Sequence, residues 1–253
     1  MTNILSLIKD PYERKARILP GLILILPFIT LAISVFGPKD LIISSLGGVL
    51  LGCGITFILG NFCRSKGKQI EERLYNKWGG VPTTILLRHH DRTISDITKN
   101  KYHIAISKKL KITLPTKSQE FSDNSGSDAI YEHAMKELRI LRRCERNLIF
   151  LENINYGYNR NMLGVKPYGI ISALTSIIIS STLMYYGSSE KMLLLLSHFE
   201  TSKYSFYIIN IIISFFVLFI WLLAINEKNV KMSGFAYAEQ LLDSLLNEKE
   251  DKE

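Results

Sequence analysis

The chain is expected to fold as an α-helical membrane protein: four transmembrane helices in two hairpins, with a mainly α cytoplasmic insert containing at most short strands. Three observations lead there. In 253 residues that are 47% hydrophobic, the apolar side chains gather into a few uncharged runs instead of recurring at helix or strand spacing. Four of these runs are about twenty residues long, enough for a helix rising about 1.5 Å per residue to cross roughly 30 Å of hydrocarbon. Lysine and arginine collect beside the runs mainly on one side.

Residues 1–17 form an N-terminal segment that brings Lys9, Arg14, Lys15 and Arg17 up to the first span. Residues 18–62 make the first hairpin, with 18–36 and 41–62 uncharged and separated only by Gly37, Pro38, Lys39 and Asp40. No small-residue cleavage pattern follows Phe36 and a second run begins at once, so the first run reads as an anchor and not a secretory signal. Residues 167–225 make the second hairpin, its runs 168–186 and 205–225 flanking a loop with Glu190, Lys191, Glu200 and Lys203. A buried core helix accounts for one run of roughly 10 to 14 apolar residues, not for four of this length.

Four basic residues precede the first span, and Arg64, Lys66, Lys68 and Arg73 follow the second, whereas the tight loop between them has only Lys39. The excess of Lys and Arg marks the cytoplasmic side, so both termini and residues 63–166 are expected to face the cytoplasm. On that topology Cys53, Cys63 and Cys144 form no structural disulfide, and their scatter provides no zinc site.

None of the four runs contains Asp, Glu, Lys, Arg or His, which argues against a carrier or pump. The second span carries Ser44, Gly48, Gly52, Thr56 and Gly60, each four apart, and the third carries Ser172, Ser176 and Ser180. Such stripes let helices approach closely and bond across the contact. Packing within one subunit is the first reading and a homo-oligomer contact the second. A pore formed by several copies and lined by Ser, Thr and Asn210 stays open.

The region 64–166 holds 20 Lys and Arg against 11 Asp and Glu, while the tail 226–253 is acidic, with four Lys against seven Asp and Glu. Basic character therefore belongs to the insert, whose expected partners are the bilayer and its anionic headgroups at the cytoplasmic face, a nucleotide, or the acidic tail. Nucleic acid is disfavoured, because neither the aromatic-glycine pattern of RNA-binding modules nor a zinc-finger spacing occurs. No cofactor is expected.

Within the insert, residues 128–147 read as an amphipathic helix burying Ile130, Ala134, Leu138 and Leu141, with Arg139, Arg142, Arg143 and Arg146 largely off that face. The turn-rich loop 123–128 offers Ser127 or Asp128 as its cap, and lacks the spacing of a calcium-binding EF-hand. A helix over 98–109 with Tyr102, Ala105, Ile106 and Leu110 on one stripe precedes an extended piece through Ile112 and Leu114 that stops at Pro115.

The stretch NKWGGVPTTILLRHHDRT, residues 76–93, looks most like chemistry. Gly79 and Gly80 permit positive φ, Thr83 and Thr84 offer hydroxyls, and Arg88 adds a forked cation, together the parts of a modest anion-binding turn. A structural turn leading into a short strand is the plainer expectation. His89 and Asp91, one apart on a strand, are weak candidates for a metal site, with His103 or His133 as a third ligand.

WGGVPTT, LLRHHD, the Tyr102-His103 pair and YGYNRNMLGVK at 156–166 resemble an uncharacterised family of bacterial multi-pass inner-membrane proteins, best over residues 71–170. The resemblance implies a shared cytoplasmic insert between two membrane pairs, and no reaction. Its motifs bracket the insert, so Arg88 and Asp91 are candidates to meet Tyr156, Arg160 and Asn161 in one site. Equally, Asp91 pairs with an arginine to hold the insert against the bilayer.

The expected function is that of a non-enzymatic membrane-associated sensor or scaffold. The alternatives are an oligomeric pore-like membrane effector, related to bacterial defence by analogy of architecture alone, and a metal-assisted hydrolase using His89 and Asp91.

Overall fold

The computed structural model describes residues 10–36, 45–143, 148–187 and 200–246, and no strand occurs among them. In chain order the helices are α1 (Leu19–Phe36), α2 (Ser45–Gln69), α3 (Glu71–Trp78), α4 (Pro82–Leu87), α5 (Asp96–Leu110), α6 (Lys117–Ser122), α7 (Asn124–Leu141), α8 (Leu148–Gly187), α9 (Glu200–Phe219) and α10 (Glu227–Asp243), with π-helical turns at Glu13–Ile18 and Ile220–Ala224. Among the described residues, Glu13–Phe36, Leu148–Tyr186 and Tyr204–Ala224 are long and apolar enough to cross a membrane. The remaining run, 41–62, is helical from Ser45 onward in α2. The loop 37–40 and Ser44 lie outside the described residues, as do Cys144, Arg146 and Lys191. Two compact units divide the chain.

The first unit, Met1–Ile70 with Gly157–Asn226, contains the apolar helices. Its π-helical turn Glu13–Ile18 runs straight into α1. Pro20 has no N–H, so the carbonyl of Ala16 loses its i+4 donor, and the side-chain amide of Asn161 donates to it at 2.7 Å instead. At the far end of the last apolar helix the same need is met by Lys166, whose ammonium donates to the carbonyl of Ile225 at 2.7 Å.

Close approach in this unit depends on glycines outside the 44–60 stripe. A Cβ on Gly164 would lie 2.5 Å from the backbone of Lys66 and Gly67, and one on Gly169 would lie 2.1 Å from the indole of Trp221. On the stripe, Gly48 and Gly52 are helical, Thr56 is partly exposed, and Gly60 meets the Cβ of Arg17 at an ordinary 3.6 Å. Packing inside one chain thus accounts for Gly60.

The serine stripe of α8 bonds across the helices. Ser172 and Ser176 donate to the carbonyls of Leu24 and Pro27 at 2.8 and 2.9 Å. Asn210 of α9 donates to Ser176 and Ser180 at 3.0 and 2.6 Å and accepts from Thr30 of α1 at 2.5 Å. Asn210, Ser176 and Ser180 are fully buried within a single chain. Each such bond contributes about 0.6 to 2 kcal/mol where no water competes. The outward faces are the reverse of a water-soluble protein: Ile58, Ile178, Phe216 and Leu223 are 61–66% exposed.

The second unit, Glu71–Tyr156 with Glu227–Glu253, has its own core of Leu86, Leu87, Tyr102, Ile106, Tyr131 and Met135, closed by Ala238, Leu241 and Leu242 of α10. Acidic composition makes that tail look solvated, yet Val230, Gly234, Ala238, Leu241 and Leu245 recur at three and four and give α10 a buried face. Glu227 pairs with Arg73 and Lys77 at 3.4 and 2.5 Å, and the Tyr102 hydroxyl donates to Asp243 at 2.6 Å.

Three sequence expectations change here. The 82–87 segment is the helix α4, with Pro82 in its first turn and all six residues buried, where a short strand was expected. α7 starts earlier, capped by Asp123, which accepts from the Gly126 N–H at 2.8 Å, because Ser127 is buried in the helix and Asp128 is held by Arg88. Its buried stripe is Ser127, Tyr131, Ala134, Met135 and Leu138, leaving Ile130 and Leu141 39% and 55% exposed. Both stripes have helical spacing, and the larger contact of Tyr131 and Met135 decides between them. By contrast α5 has the expected stripe, burying Tyr102 and Ile106.

Candidate functional site

The RHHD segment leaves the C-terminal end of α4 and turns under α6. Before it, Gly79 at φ +86° and Gly80 at φ +148° close α3, and the Gly80 N–H donates to the Tyr75 carbonyl at 2.8 Å. Only glycine takes these φ values without strain, so the WGG motif is first a helix stop.

Arg88 fills the space an anion would need beside that turn. Its guanidinium forks onto Asp128, Nε to one carboxylate oxygen at 2.8 Å and Nη2 to the other at 2.6 Å, and Nη1 donates to the Gly79 carbonyl at 2.7 Å. The hydrogen bonds that Arg88 donates to Asp128 push its pKa further up, outweighing its desolvation. The hydroxyls of Thr83 and Thr84 are buried in α4 without a hydrogen-bond partner among the described residues, where α4 packs against α7 and α10.

Glu120 of α6 organises the histidines, and nothing in its polar surroundings, KSQEFS, announced this role. Glu120 is 3% exposed, and its carboxylate accepts from the backbone N–H groups of His89 and His90 at 2.8 and 3.2 Å and from the Tyr131 hydroxyl at 2.7 Å. The fourth contact is the Nδ1 of His90 at 2.7 Å. Burial opposes ionisation of Glu120, but these donors prevail and hold its pKa at about 2. Burial and the bond to Glu120 push the Tyr131 hydroxyl up.

The remaining candidates have their own partners. One ring nitrogen of His89 faces the Pro115 carbonyl at 3.0 Å, and its ring meets that of His103 edge-on at 4.7 Å. His103 bonds the Leu87 carbonyl at 2.8 Å and is kept neutral by burial, which lowers its pKa. The Asp91 carboxylate accepts from the Thr93 N–H at 2.8 Å, while its carbonyl takes the buried Lys99 ammonium at 2.5 Å. Among the described residues no three His, Cys, Asp or Glu side chains converge as metal ligands.

Tyr156 lies at the end of the second unit, its hydroxyl 2.8 Å from that of Tyr75 and 3.1 Å from Glu71. Arg160 and Asn161 belong to the first unit, both buried, with Arg160 donating to the Asn161 side-chain oxygen at 3.2 and 3.1 Å.

Chemically, this centre is an internal clamp. At its edge the ring of His90 is 62% exposed, with Nδ1 held by the buried carboxylate of Glu120. Further along α7, Arg139, Arg142 and Arg143 line a cavity with α8 and α10. No family model, curated protein or solved structure matches the chain.

Proposed function

We propose that the chain is a four-span protein of the bacterial inner membrane, with two hairpins at 18–62 and 167–225, both termini in the cytoplasm, and residues 63–166 serving as a cytoplasmic sensing or scaffold domain that does no covalent chemistry. One observation carries the non-enzymatic part. The groups that would have to meet a substrate, Arg88, His89 and Asp91, are already engaged with Asp128, Pro115 and Thr93. A site whose charges are spent on its own backbone and side chains is suited to holding a shape.

The membrane part is supported by the three apolar helices and by the inverted exposure of their side chains. The fourth span is the uncharged run 41–62, and the orientation follows the lysine and arginine asymmetry. Anionic headgroups at the cytoplasmic face and a second copy of the chain are the partners this reading supplies.

The test is thiol labelling. Cys63 is fully buried and Cys53 lies within the proposed second span, so Cys144 is the reporter. A membrane-impermeant maleimide should modify it only after cells are opened. Labelling of Cys144 in intact cells would overturn the topology.

A further inference from the structure

Basic residues near a membrane are often explained by anchoring alone, and that explanation suits Arg64, Lys66, Lys68 and Arg73 at the end of a span. It does not suit three arginines arranged around a concavity. At the C-terminal end of α7, Arg139, Arg142 and Arg143 line a cavity of about 150 Å³ whose other walls include Phe150 and Asn153 of α8 and Tyr237 of α10.

A helix end attracts cations for its own sake, since the last carbonyls carry partial negative charge. Part of each guanidinium does serve that need: Arg139 donates through Nε to the Met135 carbonyl at 3.1 Å, and Arg142 through Nη2 to the Ser244 carbonyl at 3.0 Å. These bonds fix the two side chains in place, and since a guanidinium has five N–H donors, Arg139 keeps donors beyond the one it spends on Met135. Neither Arg139 nor Arg143 enters an ion pair among the described residues. Elsewhere in the same unit the charges do pair, Arg88 with Asp128 and Lys77 with Glu227. Concentrated positive charge in a concave site, with two of three forks already oriented, is the arrangement that recognises a phosphoryl group.

We propose that this cavity binds the phosphoryl group of a small ligand, with Arg139, Arg142 and Arg143 as its cations and Asn153 as a neutral donor. Its volume is that of a benzene-sized cavity, so it takes a phosphate and the atoms next to it, with the rest of a larger ligand outside. Phe150 and Tyr237 give the lining an apolar part suited to a base or an acyl-glycerol group. The phosphate of a soluble nucleotide and that of a lipid headgroup share this chemistry. The assignment rests on reading the insert as a sensing domain and supplies what it senses.

The experiment uses the full chain in neutral detergent, with hydrogen–deuterium exchange of peptides covering α7, the start of α8 and α10. Inorganic phosphate and AMP are titrated separately, and the protein is also placed in nanodiscs of phosphatidylcholine with or without phosphatidic acid. Slowed exchange confined to those peptides is the expected result. Protection by AMP in phosphatidylcholine discs identifies a soluble ligand, and protection by phosphatidic acid that AMP does not displace identifies a headgroup.

Arg143→Gln, at an exposed position, should weaken binding about tenfold, and Arg139→Gln with Arg143→Gln further. Lys101→Gln with Lys108→Gln removes two exposed charges of α5 and should leave binding unchanged. Equal loss in both double variants reveals only general attraction between charges and overturns the site, as does protection by none of the three probes. Detergent binding is blind to sidedness, so labelling of Cys144 in intact cells refutes the topology while leaving the site, and absence of binding does the reverse.

Discussion

Arg88 and Asp128, one just after α4 and the other near the start of α7, are joined by two parallel hydrogen bonds of 2.8 and 2.6 Å. The pair crosses the second unit and holds the third nitrogen of Arg88 on the Gly79 carbonyl. Lysine keeps the charge and loses the fork. Arg88→Lys should therefore lower the unit's stability by about 1 to 2 kcal/mol, discounted for the pair's partial exposure. Near-ultraviolet circular dichroism during urea titration measures it, and a double-mutant cycle with Asp128→Asn should show the two effects to be non-additive.

Acid should open the same unit in two stages. His103 has a folded pKa below 6.5, so the stability of its neutral form is present above that value and is lost as pH falls through it. Glu120 is likewise depressed, from 4.5 to about 2, and its contribution is complete above 4.5 and lost between 4.5 and 2. A depression of that size corresponds to roughly 3 kcal/mol. Glu120→Gln should flatten the lower transition in a plot of midpoint urea concentration against pH, and an unchanged lower transition would refute the role given to this carboxylate.

Glycine substitutions should separate close backbone approach from mere smallness. Gly164→Ala puts a Cβ 2.5 Å from the backbone of α2, and Gly169→Ala puts one against the Trp221 ring. Neither neighbour can give way cheaply, so both variants should fail to accumulate in membranes. Gly54→Ala meets nothing within 4 Å and should accumulate normally. Immunoblots of membrane fractions distinguish the three.

Asn161→Leu leaves the Ala16 carbonyl without the donor that compensates for Pro20. An unsatisfied buried carbonyl costs about 1 to 3 kcal/mol. The expected reading is a lower thermal midpoint for loss of helical signal in detergent. Asn161→Gln should not restore it, because α2 runs so close here that a Cβ on Gly67 would lie 2.2 Å from the Asn161 side-chain oxygen, leaving no room for a longer side chain.

The apolar helices were legible because uncharged length is a one-dimensional property. The stripe of α5 was legible for a similar reason, since Tyr102 and Ile106 stand out among lysines. What escaped was everything decided by partners far away in the chain. Glu120 sits in a polar hexapeptide and becomes a hub only when His89, His90 and Tyr131 fold onto it. Pro82–Leu87 is too short for a period to declare itself, and its burial by α7 and α10 makes it a helix. Gly164 lies outside any small-residue repeat, yet a Cβ there would lie 2.5 Å from the backbone of α2.

The dependence of the second unit on α10 bears on the order in which the protein is made. When residues 71–156 leave the ribosome, the surfaces of α4, α5 and α7 that Ala238, Leu241, Leu242 and Leu245 will cover are still open. They stay open through translation of the whole following stretch, 157–226. The domain thus matures only after the last apolar helix has been released, so its closure certifies that the chain ahead of it is complete. A nascent chain cut short after residue 226 loses the closing wall of a domain begun long before, and presents cellular proteases with an unfinished interior.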